Sequence, residues 1–266
     1  MALQFKSLCS SSSGNCLVIW TDKTRVIIDC GFGSMRKCRE TLVKHLGGTG
    51  GVDAVVISHM HSDHINYYPL RVIEQYGYPV MVHENCMELL HEKHFREYGF
   101  GSLKLQPFCD KEFEIGDLRF QPFKVPHHPD FPTFGFVIKY RQRNGWQKAV
   151  VVADFNKADG LLEHFTDADF IYVESNHDLA LLKKYFNYNS LYHMSNPKTA
   201  ELICCARRQS KKAPKAVMLG HISSQRNSGH IAIKEVAGTF KKSGLEMDFE
   251  LLAAPLYDAS DTVQIL

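Results

Sequence analysis

Six short apolar runs punctuate the chain, and each ends on an ionisable residue. RVII (25–28) ends at Asp29, AVVIS (54–58) at His59, and FKVP (123–126) at His127 and His128. AVVVA (149–153) ends at Asp154, FIYV (170–173) at Glu174 and then SNHD, and AVMLG (216–220) at His221. Continuous apolar runs of this length, rich in β-branched residues, predict strands buried on both faces. Helix signals fall between them. One helix is predicted from His64 to Gly77 behind a Ser62 or Asp63 cap. Asp178 caps LALLKKYF, and Ser195 caps NPKTAELICCARRQ, where Pro197 sits in the first turn and its missing N–H is harmless. Ser228 caps GHIAIKEVAGTFKKSG, which stops at Gly244. Asn144-Gly145 predicts a hairpin, and CSSSSGN a tight turn between the first two strands. Strands interleaved with helices make an α/β protein, whose sites gather beyond the carboxyl ends of strands. All six ionisable ends are therefore expected at one rim.

No internal repeat or linker divides the sequence, so one domain is expected over residues 1–266. With 44% apolar residues the chain can bury a sizeable core. A formal net charge of +2 speaks against nucleic-acid binding by bulk charge alone. No basic segment leads into an apolar run, and no stretch approaches the roughly 20 apolar residues that span a bilayer. A cytoplasmic protein without a membrane partner is expected. Its eight cysteines form no CxxC pair, which suits reduced thiols. Nothing fixes the oligomeric state, and a homodimer is compatible with the sequence.

Histidine changes the picture most: there are 14. The segment HMHSDH (59–64) holds three imidazoles and a carboxylate in six residues. His59 and His61 alternate around Met60, so an extended backbone turns both the same way. Asp63 and His64 follow where the chain turns toward a helix and can serve a second position nearby. Imidazole with carboxylate suits Zn²⁺, Mn²⁺ or Fe better than Ca²⁺ or Mg²⁺. A histidine-rich surface loop that binds nothing is the plainer alternative, and the flanking strand and helix argue against it.

SHMHSDH resembles the HxHxDH signature of the metallo-β-lactamase superfamily, with Asp29 upstream and further His, Asp and His residues in order. SLCSSSSGNC, ESNHD, YHMSNPKTAE and LGHISSQRNS are similar to motifs of its YycJ/WalJ group of single-domain exonucleases. The resemblance covers essentially the whole chain. It implies an αβ/βα four-layer sandwich of two mixed sheets flanked by helices, with a site for two divalent ions, Zn²⁺ or Mn²⁺. His59, His61 and a histidine of VPHHPD would hold one ion, and Asp63, His64 and His221 the other. Asp154 would bridge them, and Asp29 would hold a ligand imidazole through its other nitrogen. Counting from FKVP selects His127, the preferred ligand, while counting back from Gly135 selects His128. Carboxylates at 63 and 154 resemble the phosphodiesterase and nuclease branch. The chain has no large insert between Asp154 and His221 of the kind that caps the β-CASP nucleases.

Two similar triplets, HMS at 193–195 and HIS at 221–223, divide the work. His221 ends an apolar strand, as the other expected ligands do. His193 precedes a helix start, where free N–H groups can hold an anion. His193 is thus expected to give a proton to the leaving oxygen, with Ser195 and Asn196 clamping phosphate. Asn176 and His177, at a strand end, and whichever of His127 and His128 is no ligand, are expected to touch substrate. Catalysis is assigned to Asp63, Asp154 and His193. His83 is read as a rim or capping residue, and His45, His91, His94, His164 and His230 as solvated helix positions. The basic run Arg207–Lys212 precedes the strand that ends at His221, so it belongs at the end away from the site. The leading expectation is a two-metal phosphodiesterase acting on DNA from the 5′ end, with a hydroxide shared between the metals. A small-molecule phosphodiesterase, for example of cyclic nucleotides, is the alternative. A silent metal-binding regulatory module is the third reading.

Overall fold

The computed structural model of the chain describes residues 2–47, 50–95, 99–143 and 145–265. The strands are β1 (Leu3–Ser11), β2 (Gly14–Trp20), β3 (Arg25–Ile28), β4 (Ala54–Val56), β5 (Val80–His83) and β6 (Leu105–Phe108). Then come β7 (Phe113–Ile115), β8 (Leu118–Val125), β9 (Thr133–Gln142), β10 (Gly145–Val152), β11 (Phe170–Glu174), β12 (Ala216–Gly220) and β13 (Glu250–Ala253). The last strand, β14 (Val263–Ile265), returns to the edge of the first sheet beside β1.

One sheet runs β14-β1-β2-β3-β4-β5-β6 and the other β13-β12-β11-β10-β9-β8-β7. Each is mixed in the same way. β1 to β3 pair antiparallel and β3 to β6 parallel. β7 to β10 pair antiparallel and β10 to β13 parallel. Parallel neighbours need crossovers, and these are the helices. α1 (Met35–Leu46), α2 (Tyr67–Tyr76) and α3 (Met87–His94) serve the first sheet. α4 (Leu162–Phe165), α5 (Leu179–Lys184), α6 (Asn196–Gln209) and α7 (Gly229–Lys242) serve the second.

The continuous apolar runs follow from burial on both faces. Val151, Phe170, Tyr172 and Met218 point between the sheets, while Val150, Ile171, Val173, Val217 and Leu219 point at the outer helices. There they meet Ile203 of α6 and Val236 and Phe240 of α7. Across the inner layer Phe5 lies 4.6 Å from Phe170 and 5.6 Å from Tyr172, ring to ring. Each such fully buried aromatic contributes roughly 1.5–3 kcal/mol by leaving water. Helix, sheet, sheet and helix make the four layers of an αβ/βα sandwich. Among the described residues no helix is long and apolar enough to cross a membrane.

The ends of the helices refine the expectations. Asp178 Oδ1 accepts from Leu181 N (2.8 Å) and Ser228 Oγ from Ile231 N (3.2 Å), so both caps form. α6 begins after Ser195, but the Ser195 hydroxyl makes no cap bond. α2 starts at Tyr67 rather than His64, because Asn66 caps it and residues 62–65 are taken by a turn that closes on the His61 carbonyl. Ser62 and Asp63 are therefore not caps. Ser12 and Ser13 form the turn between β1 and β2. Gln142 and Gly145 pair across the β9–β10 hairpin, and Asn144 lies outside the described residues.

Candidate metal centre

The ends of β3, β4, β10, β11 and β12, with the turn after β8, meet at one rim. Three residues there have left-handed backbones: Asp29 (φ 58°), Asp154 (φ 58°) and His221 (φ 48°). Such angles cost a non-glycine residue energy, and they bend each chain end sharply so that its side chain turns into the site.

The histidines converge in two sets. His61 Nδ1 lies 2.9 Å from His59 Nε2 and 3.2 Å from His127 Nε2, with Asp154 Oδ1 3.6 Å from His127 Nε2. On the other side Asp63 Oδ2 is 3.2 Å from His221 Nε2 and 3.6 Å from His64 Nε2. Asp154 Oδ2 stands 2.7 Å from His64 Nε2 and 3.5 Å from His221 Nε2, so Asp154 lies between the sets. The imidazoles of His59, His64, His127 and His221 are aimed by their far nitrogens. Asp29 Oδ2 accepts from His64 Nδ1 (2.7 Å) and from the Ser58 hydroxyl (2.8 Å). The Ser58 oxygen is then free to accept from His59 Nδ1 (3.0 Å). His127 Nδ1 donates to the Tyr192 carbonyl (3.0 Å).

These groups fit divalent metal ions. Asp154 Oδ2 is buried and makes no well-formed hydrogen bond, although His64 Nε2 stands 2.7 Å away. Nitrogen and oxygen lone pairs pointing at a shared space need a positive centre. Burial pushes His61 down to about 4 and His59 well below the usual imidazole range, so both are neutral, the form in which an imidazole can hold a metal. For His64 and His221 burial acts the same way, but carboxylates overcome it. Asp154, Asp29 and Asp63 hold His64 well above its ordinary value, and Asp154, Asp63 and Glu174 hold His221 at about 10.

Of the two alternatives after β8, His127 turns into the cluster. His128 lies on the cleft wall, its ring 4.8 Å from that of Tyr192. His193 also reaches the rim, with Nδ1 2.7 Å from Glu174 Oε1 and 3.3 Å from Asp154 Oδ1. Asn176 borders the cleft and donates to the His221 carbonyl (3.0 Å). The expected phosphate clamp does not form. The Asn196 N–H donates to the His177 carbonyl (2.9 Å), and the Asn196 side chain is buried against Ser175 and Asn227. Ser195 and His177 are buried as well and do not border the cleft. Internal bonds have used the Asn196 groups expected to hold phosphate, while Asn176 and His128 remain on the cleft.

Three supporting residues were missed. Glu174, fully buried, accepts from His193 Nδ1 (2.7 Å) and His221 Nδ1 (2.9 Å) on one oxygen. Its other oxygen accepts from Phe155 N (3.1 Å) and Met194 N (3.3 Å). Burial opposes its charge, yet the His193 and His221 imidazoles, by charge and by hydrogen bond, hold Glu174 down at about 2. Its place at the end of FIYV, like the other strand ends, was the available signal. Asn15, in the motif SGN, donates to Asp63 Oδ2 (3.3 Å). His94 is not on a solvated face: it is buried, and its Nε2 lies 2.9 Å from the carbonyl of Met60 inside HMHSDH. His83 stays outside the cluster, stacked on Phe134 at 4.1 Å. Within the basic run Arg207 pairs with Asp248 and Lys212 with Asp169.

The comparisons agree with this fold. The chain is similar to the exodeoxyribonuclease WalJ of Streptococcus pneumoniae serotype 2 (strain D39 / NCTC 7466), 25% identical over 274 residues, covering 98% of this chain and 95% of that protein. It is also similar to the exodeoxyribonuclease YycJ of Bacillus anthracis, 24% identical over 258 residues, with 92% and 91% covered. The solved structure of the metallo-beta-lactamase fold protein YhfI from Bacillus subtilis superposes with a TM-score of 0.74 at 16% identity, covering 99% of this chain and 100% of that one. The beta-lactamase superfamily domain matches residues 24–222, and the chain belongs to that superfamily.

Proposed function

We propose that this metal-dependent hydrolase is a DNA exonuclease that cleaves phosphodiesters from the 5′ end. The observation that carries the reading is Asp154, buried without a well-formed hydrogen bond on Oδ2 between two sets of imidazole and carboxylate donors. His59, His61 and His127 would hold one divalent ion, and Asp63, His64 and His221 a second, with Asp154 shared. Zn²⁺ or Mn²⁺ bound there would supply a nucleophile at neutral pH and neutralise charge on the phosphate. The protein's own part is placement and proton transfer. The cleft beside the cluster encloses about 500 Å³, and Ser12, Ser13, Asn189 and Arg226 on its walls can donate to phosphate oxygens. His193 reaches this cleft, 15% exposed, with Glu174 and Asp154 holding its protonated form above the ordinary value against burial. A protonated imidazole there can give its proton to the departing 3′ oxygen. The full-length likeness to two exodeoxyribonucleases supports DNA as substrate. All eight cysteines are unpaired, which supports a cytoplasmic setting.

The test compares end-labelled DNA with cyclic mononucleotides in Mn²⁺ or Zn²⁺. Progressive loss of nucleotides from the 5′ end, abolished in Asp154→Asn, is expected. Turnover of cyclic nucleotides without DNA cleavage would replace this reading with the small-molecule alternative. Full activity of Asp154→Asn would remove both.

A further inference from the structure

Beside the cluster, the loop between α5 and α6 carries an unusual surface. Of ten large apolar residues exposed among the described ones, five lie in it or in α5: Leu179, Tyr185, Phe186, Tyr188 and Leu191. Exposed apolar clusters of this kind mark interaction surfaces. Tyr188, 63% exposed, begins a row of rings. Its centroid is 6.0 Å from Tyr192, Tyr192 is 4.8 Å from His128, and His128 is 5.3 Å from Phe131. Phe131 closes the row at 4.4 Å from His61, inside the candidate metal cluster. The row thus leads from solvent to the reacting phosphate's expected place. Cations flank it. Lys93 Nζ lies 4.3 Å from the Phe131 centroid, Lys184 Nζ 5.0 Å from that of Tyr185, and Arg226 lines the cleft while its Nε donates to the Tyr185 carbonyl (2.6 Å). Asp130, the acidic neighbour, turns its carboxylate to 3.5 Å from His128 Nδ1.

We propose that Tyr188, Tyr192, His128 and Phe131 form a stacking track for the unpaired bases of a single-stranded nucleic-acid end. The proposal rests on the phosphodiesterase reading and names the strand form that the site takes. Aromatic rings bind bases only when the bases are free of their own duplex stack, and they do so with little sequence preference. The flanking cations suit the backbone phosphates between those bases. A paired duplex end would keep its bases away from the rings.

The test is a coupling measurement. Phosphorothioate-linked single-stranded oligonucleotides, which resist cleavage, are bound to the full chain in Mn²⁺, with the 5′-terminal bases either present or replaced by abasic residues. Wild type should prefer the base-bearing strand. Tyr188→Ala and Tyr192→Ala should each weaken it roughly tenfold and leave the abasic strand unchanged. Tyr192→Phe, which keeps the ring, should keep the preference. Equal loss on both strands, or a wild type indifferent to the bases, would overturn the track. If Tyr188→Ala instead dissociates a dimer in sedimentation velocity with no base-dependent loss, the face belongs to a second copy and the track is wrong. Cleavage of unmodified end-labelled DNA by wild type, run in parallel, judges the phosphodiesterase reading separately.

Discussion

Glu174 serves two imidazoles with one oxygen, His193 on the cleft side and His221 on the metal side, and anchors itself on two backbone N–H groups with the other. Glu174→Gln keeps the shape but removes the charge and one acceptor site. Metal affinity should fall about 10- to 100-fold, read by calorimetric titration. His193→Ala should leave the metal content unchanged while slowing turnover by about 10²–10⁴, the range of a lost proton donor. A lost metal in that variant would make His193 a ligand. The protonation pattern adds a pH dependence. In the metal-free protein His221 is raised from 6.5 to about 10 and His64 is raised too, so each carries a proton that a metal must displace. Metal binding should release protons and tighten as pH rises, measurable as acidification of a weakly buffered sample. For His221 the folded value lies above the unfolded one, so its stabilisation is complete below pH 6.5 and lost as pH approaches about 10. Denaturation midpoints of the metal-free protein across that window check the sign. HMHSDH and the strand-end acids were legible because apolar runs that stop at charged residues leave few places for those residues to go. Glu174's double hold was not, since it depends on which way two distant imidazoles turn. Ser195, Asn196 and His177 looked free in sequence because their partners, Ser175 and Asn227 among them, are met only in the fold.

At the scale of elements, the placing of HMHSDH depends on a close backbone crossing. A Cβ on Gly31, just after β3, would sit 1.7 Å from the Asp63 carbonyl oxygen and 2.7 Å from His64 N. The backbone Asn15 N to Asp63 O bond (2.8 Å) and Cys30 N to His64 O bond (2.7 Å) tie the same turn down. Gly31→Ala must push this turn outward. It should cost at least about 1–3 kcal/mol of stability and weaken metal binding through Asp63 and His64, seen in paired melting and metal-titration experiments. His94 of α3 holds the turn's other side through Met60. The periodicity of α3 gave no sign of this, because one buried imidazole in a short helix leaves no pattern. The aromatic row was equally hidden: residues 128–131 lie in a loop and Tyr188–Tyr192 in one short 3-10 helix, neither long enough to show a period.

Across the whole molecule, the two sheets repeat one plan, antiparallel strands followed by parallel ones, and their strand ends face a common rim. The layered class followed from β-branched runs alternating with helices, whereas the edge strands β6, β7, β13 and β14 are too short or too exposed to stand out. The candidate ligands divide between the sheets. His59, His61, Asp63 and His64 follow β4 of the first, while His127, Asp154 and His221 follow β8, β10 and β12 of the second. Ions held by both groups would act as removable rivets across the seam between the two halves. Their loss should then be felt far from the cleft: a chelator should lower the melting temperature of the whole chain, the stabilisation lost being up to about 4 kcal/mol for one ion present at a thousand times its dissociation constant. Ions held by one half alone would leave the other half's hydrogen-exchange protection unchanged, and that comparison separates a rivet from an ornament.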